Sequence, residues 1–177
     1  MKRTYIYLMR NIFVLLLFAV PSMLWPQSPW LIGFEKPAKN PILQADSSYQ
    51  FFCPVRKDLV AWQKADVFNP GAVVRNDTVF LFFRAEDNPV AKLGERTSRI
   101  GMAWSTDGLN FHRYPDPVLY PDADAQLKWE YPGGVEDPRV TELEDGSYLM
   151  LYTGWNQKTA RLCSAISKDL IHWVKQG

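Results

Sequence analysis

Two acidic side chains stand next to each other in the stretch Gly133-Gly134-Val135-Glu136-Asp137-Pro138-Arg139-Val140. A carboxyl group can pass a proton to a departing oxygen when it is held in place rather than freely solvated. Proline restricts the residue before it to extended backbone, which would fix the direction in which Asp137 points. Asp137 is therefore the candidate catalytic acid. The plainer reading is a carboxylate that caps a turn and pairs with Arg139. Glu136 is the alternative acid, expected to face the other way because strand neighbours alternate. Asn69-Pro70 repeats the arrangement earlier in the chain, with an amide in place of the carboxylate. In Phe83-Arg84-Ala85-Glu86-Asp87-Asn88, charges follow an aromatic run. Arg84 and Asp87 there fit either a polar substrate clamp or a surface turn. Arg96 and Arg99 could grip a carboxylate or phosphate through two guanidinium forks, with Lys158 and Arg161 in the equivalent later place. A solvated strand edge is the competing reading for these cations.

The elements that must position these residues read as strands. Thr78–Ala85, Arg99–Ser105, Ser147–Gly154 and Ala160–Ser167 are β-branched and aromatic runs bounded by turn residues. No stretch past residue 28 carries a helical stripe. The runs match in pairs: Arg99 with Arg161, Ser105 with Ser167, Asp107 with Asp169 and Phe111 with Trp173, each 62 residues apart. Asn69 and Asp137 are 68 apart, so the first unit carries a short insertion, assigned to Pro89–Thr97. A repeat of this size with about four short strands describes a propeller blade, whose innermost strand lines a central funnel. Two unrelated hairpins in a sandwich are the alternative. In the propeller reading, Asn69 and Asp137 begin the two innermost strands. The two histidines, His112 and His172, fall at aligned outer turns and read as structural. Two blades leave open sheet edges, since closure takes roughly four to eight. The chain is thus expected to be part of a longer protein or to associate as a homo-oligomer.

The totals narrow the function classes. The chain has 177 residues, with 47% hydrophobic and 14% aromatic side chains, enough for one packed domain with rings that could stack on sugar faces. Lys+Arg number 20 against 19 Asp+Glu, so no basic excess is available for nucleic acid. The first 28 residues differ in kind. Lys2, Arg3 and Arg10 precede an apolar run from Ile12 to Trp25 that Pro21 interrupts. A basic start and a short apolar run read as a secretory signal, which would place the protein in the periplasm or outside the cell. A retained membrane anchor is the alternative, and would be the only membrane contact. Residues 29–177 are the partial propeller domain. Cys53 and Cys163 show no metal or redox spacing and are expected as two buried free thiols. No phosphate loop, nucleophile elbow or metalloprotease motif occurs, and no metal or cofactor is called for.

The series "FNPGAVV", "FFRAEDN", "RTSRIGMAWSTDGLNF", "PGGVEDPRV", "YTGWNQKTARL" and "SKDLIHW" resembles glycoside hydrolase family 130, the β-mannoside phosphorylases and related β-mannosidases. The likeness is ordered and spans roughly residues 30–177. It implies an all-β, five-bladed β-propeller of which this chain carries about the first two to three blades. It implies cleavage of β-mannosidic oligosaccharides or glycans with inversion, by phosphorolysis or by hydrolysis. Asp137 matches the family's acid. Asn69, Arg84, Asp87 and Glu136 match or adjoin its sugar-site motifs. Arg99 matches a further motif arginine, and Arg161 the start of the cationic cluster by which phosphorylases hold their co-substrate, inorganic phosphate. A non-catalytic glycan-binding propeller and an inactive truncated product are the competing expectations.

Overall fold

The computed structural model describes Gly33 and residues 35–92 and 94–177. The leader expected over residues 1–28 lies outside the described residues. Among the described residues, no helix is long and apolar enough to cross a membrane.

Two short strands, β1 (Gln50–Cys53) and β2 (Asp58–Ala61), pair antiparallel as a separate hairpin. The next four are β3 (Asp66–Arg75), β4 (Thr78–Glu86), β5 (Ser98–Ser105) and β6 (His112–Arg113), which form one antiparallel unit in that order. After a connection holding the short helix α1 (Leu127–Glu130), a second unit follows. It comprises β7 (Gly134–Glu142), β8 (Tyr148–Trp155), β9 (Ala160–Ser167) and β10 (Val174–Lys175), again consecutive and antiparallel. Strand pairing joins the two units at one parallel pair, Ser98 with Gly134. The close approach depends on glycine: a Cβ on Gly134, whose φ is +113°, would stand 2.2 Å from the Ser98 carbonyl oxygen.

The repeat survives at the level of single hydrogen bonds. After β5, the Ser105 hydroxyl accepts from the Gly108 amide at 2.9 Å, and the Asp107 carboxylate accepts from the amides of Leu109 and Asn110 at 2.8 Å. After β9, Ser167 accepts from Leu170 at 2.9 Å, and Asp169 accepts from Ile171 at 2.9 Å and from His172 at 2.8 Å. Hydrogen bonds led by the Asn110 amide hold the Asp107 carboxyl well below the ordinary carboxylate range. At Asp169, desolvation opposes the same effect and the bonds from His172 and Ile171 prevail.

Burial explains why the runs of β4 and β5 are so apolar, whereas β8 and β9 bury alternate residues. Every residue of β4 from Phe82 to Glu86 is buried, because each face of the strand meets a different core. Phe82, with Ile100 and Met102, packs against Tyr148, Met150, Tyr152, Cys163 and Ala165 of the second unit. Phe83 and Ala85 face the hairpin, where Phe51, Cys53, Val60 and Trp62 cover them. Truncating Phe82 or Trp62 to alanine in such a setting costs about 3–5 kcal/mol. Both cysteines are buried and free, as expected. The hairpin and α1 are departures from the sequence reading. Four-residue strands flanking Pro54, Arg56 and Lys57 carry too little alternation to stand out, and a single turn of helix has no stripe. Two four-stranded units agree with the expected all-β repeat, while the closed five-bladed ring needs more units than these residues build.

Candidate active site

The first strands of the two units, β3 and β7, carry matching irregularities. In β3, Phe68 pairs with Arg84 but Gly71 pairs with Phe82, so Asn69 and Pro70 together oppose one residue. In β7, Glu136 pairs with Thr153 but Arg139 pairs with Leu151, so Asp137 and Pro138 do the same. Both are β-bulges, which re-aim side chains and leave the extra residue outside the ladder. The expectation that proline holds Asn69 and Asp137 in extended backbone is corrected here. Their φ values are +48° and +54°, in the left-handed region. Asn and Asp are the non-glycine residues that enter this region most readily, at a cost of order 1 kcal/mol. The bulges also let the strands touch. A Cβ on Gly71 would stand 2.5 Å from the Pro138 carbonyl oxygen, so only glycine permits this approach.

Across that contact the Asn69 amide donates to Asp137 Oδ1 at 2.8 Å, and Arg84 Nη1 donates to the same oxygen at 3.4 Å. Asp137 is not paired with Arg139, whose guanidinium bonds the Pro138 carbonyl at 2.8 Å. The Asp137 side chain is 37% exposed, and its Oδ2 takes no hydrogen bond from the described residues. One oxygen is thus clamped and the other is left toward solvent.

Arg84 is the hub. Its Nη2 lies 2.6 Å from Glu86 Oε1 and 2.8 Å from Glu136 Oε1, and its Nε donates to the Ser98 hydroxyl at 3.0 Å. The Phe68 ring lies under the guanidinium, 4.8 Å away, and limits its sideways freedom. Arg96 closes the far side, bonding Glu86 Oε2 at 3.0 Å and also Asp66. Glu136 therefore does not face away from Asp137 as strand alternation predicts. The bulge between them breaks the two-residue period and turns both carboxylates toward Arg84. Burial pushes the Glu136 carboxyl above its ordinary range; Asp137 and Glu86 add to the effect and Arg84 opposes it.

Asp87 and Arg99 lie on the opposite side of β4, toward the hairpin. Arg99 Nη1 meets Asp87 Oδ2 at 3.0 Å, and Arg56 from the hairpin turn reaches the same oxygen at 3.3 Å. Arg99 stacks over Phe51 at 5.1 Å, and both partners of the pair are nearly sealed. Arg99, expected beside phosphate, thus stands inside the protein as the counter-ion of Asp87. Arg161 stands at the equivalent place in the second unit but is exposed, stacked 3.7 Å over the Trp129 ring of α1. Sequence reasoning missed Ser98, Phe68 and Arg56 altogether. Ser98 and Phe68 lie inside stretches that the resemblance quotes but bear no charge that singles them out, and Arg56 lies in the overlooked hairpin. A groove of about 520 Å³ lined by Tyr120, Trp173 and Lys175 among others includes none of these residues.

A family model described as beta-1,4-mannooligosaccharide phosphorylase, glycoside hydrolase family 130, matches residues 35–177. The chain is 42% identical over 120 residues to the 1,2-beta-oligomannan phosphorylase of Thermoanaerobacter sp. (strain X514), covering 66% of this chain and 38% of that protein. It is 38% identical over 122 residues to the beta-1,2-mannobiose phosphorylase of the same organism, covering 63% of this chain and 38% of the relative. Among solved structures, a glycosyl hydrolase from Bacteroides ovatus superposes with a TM-score of 0.79 at 46% identity, over 82% of this chain and 41% of the other. Another, from work on family 130 glycoside hydrolases that target β-1,2 mannosidic linkages in Candida mannan, gives 0.79 at 44% identity over the same shares. The chain spans about two fifths of the length of the relatives it matches.

Proposed function

The chain belongs to glycoside hydrolase family 130, a family of mannoside phosphorylases that also contains hydrolases, and from that membership we propose that the polypeptide containing it cleaves β-mannosides with Asp137 as proton donor. The observation that carries this reading is the Asp137 carboxyl group. It is clamped at one oxygen by Asn69 and Arg84, and open at the other. A fixed, half-open carboxyl on an innermost strand has the geometry a general acid needs. In this reading the two units are blades of a five-bladed propeller, and Asp137 faces its funnel. Arg84 and Asn69 hold the acid and border the sugar.

The proton reaches the glycosidic oxygen while a nucleophile attacks the anomeric carbon from the opposite face, giving inversion. A phosphate ion needs no second carboxylate, because it arrives already anionic. Water would need one, set farther off to leave room for it. Arg161 is an exposed cation suited to phosphate, and Arg99 supports Asp87 instead. The named relatives favour β-1,2-linked mannosides as the first substrates to test. The segment over residues 1–28 is proposed to direct export. Cell fractionation that leaves the protein in the cytoplasm would contradict that part alone.

The test uses the complete polypeptide that contains these 177 residues. It is assayed on β-1,2-mannobiose and β-1,4-mannobiose, with and without inorganic phosphate. Release of mannose 1-phosphate only with phosphate identifies a phosphorylase, and mannose without it a hydrolase. Asp137→Asn is expected to lower either rate by about 10²–10⁴-fold. A variant that turns over at the unsubstituted rate removes Asp137 from this role.

A further inference from the structure

The hub around Arg84 holds more negative charge than its cations neutralise. Glu86 Oε1 and Glu136 Oε1 crowd the same two donors, and Arg84 Nη2 directs its hydrogen bond to Glu86. Arg84 Nη2 lies 2.6 and 2.8 Å from the two oxygens, and the Ser98 hydroxyl 3.2 and 3.3 Å. Ser98 already accepts from Arg84 Nε, so its single proton can serve only one of the two. Glu86 has a second cation, because Arg96 bonds its Oε2 at 3.0 Å. Among the described residues Glu136 has no second cation in ion-pair reach: beside it stand Ser98, the uncharged Thr153 opposite it on β8, and Asp137. On β3, Asn69 is uncharged and Asp66 is already held by Arg96. Arg84 must at the same time hold Asp137 through Nη1.

We propose that Glu136 carries a proton at neutral pH, so that Arg84 Nη2 and the Ser98 hydroxyl serve ionised Glu86 while Glu136 stands beside them as a neutral carboxyl group. Glu136 is then a positioning residue. It spaces the guanidinium without competing for it, and the acid stays clamped. Its importance for turnover rests on the reading of Asp137 as proton donor; its protonation does not. The direction in which burial displaces the Glu136 carboxyl agrees with this assignment. Two carboxylates that cannot both ionise beside one cation are a recurrent way of holding a proton in a site.

If folding gives Glu136 a proton that the unfolded chain lacks, stability rises as pH falls through the raised value. It levels off below the ordinary glutamate range. Glu136→Gln copies the protonated shape and removes the titration. The melting temperatures of the complete polypeptide and of this variant are compared from pH 8 to pH 5. The unsubstituted protein is expected to gain about 2 °C or more relative to the variant on acidification. A difference that does not change with pH overturns the proposal, since a purely structural role shifts both curves equally. Should the variant fail to fold, carboxyl-carbon NMR of the unsubstituted protein decides. A Glu136 midpoint above the ordinary range, with a matching step at Glu86 or Asp137, supports it. An ordinary, independent Glu136 titration overturns it. Loss of the functional reading would appear elsewhere, as unchanged mannoside turnover in Asp137→Asn, and would leave these titrations untouched.

Discussion

The two sides of β4 carry the same kinds of residues and do different work. Toward the second unit, Arg84 meets Glu86, Glu136 and Asp137, and one of those carboxylates opens to solvent. Toward the hairpin, Arg99 meets Asp87, with side chains 1% and 4% exposed. One cluster ends in a group that a substrate can reach. The other is closed by Phe51, Cys53 and the Arg56 turn. Residue type therefore does not separate the acid from the scaffold at this strand. The separation comes from the bulges, which bring Asn69 and Asp137 out of the ladder on one side only.

The contrast can be broken most sharply with paired substitutions. Arg84→Met is expected to lower turnover by about 10²-fold or more, because Asp137, Glu136 and Glu86 lose their common cation. It should also destabilise the fold by about 3 kcal/mol, the order for breaking a buried pair on one side. Arg99→Met is expected to show the stability loss of about 3 kcal/mol with turnover per folded molecule within about threefold of the unsubstituted protein. Equal activity losses in the two variants would erase the distinction between the clusters. Gly71→Ala tests the bulge contact itself. Its Cβ must push β3 away from the Pro138 carbonyl, lengthening the Asn69–Asp137 bond, with turnover falling by about tenfold and a modest drop in melting temperature. The smallest effect belongs to the repeated turns. Asp169→Asn should cost a little stability at neutral pH, and less as the pH falls and the unsubstituted carboxyl is protonated. A depressed carboxyl stabilises above its unfolded range and loses that contribution on acidification. Melting curves at pH 7 and pH 3 check it, and an identical difference at both would contradict the assigned hydrogen bonds.

The strands and the repeat were legible because burial on both faces leaves near-continuous apolar runs in β4 and β5, because β8 and β9 alternate, and because Ser-x-Asp turns need particular side-chain oxygens. Thr78–Ala85 and Ala160–Ser167 could be read almost to their ends for that reason. The pairing of Asn69 with Asp137 was legible as a pattern, Asx before proline, but its backbone was not. The usual effect of proline predicts extended geometry. The bulge, a property of two strands together, imposes positive φ instead. The same bulge explains why Glu136 could not be placed by alternation. Arg99 illustrates the converse limit. A motif arginine looks the same whether it faces a funnel or a hairpin, and the hairpin strands were too short to be seen.

The central claim is that Asp137 delivers a proton to the leaving oxygen, and it is tested most directly by changing the need for that proton. The complete polypeptide and its Asp137→Asn variant are compared on β-1,2-mannobiose and on 2,4-dinitrophenyl β-mannoside, whose leaving group departs without protonation. The expected loss is about 10³-fold on the disaccharide and less than about tenfold on the activated mannoside. Equal losses on the two substrates would show that Asp137 acts by some means other than proton donation.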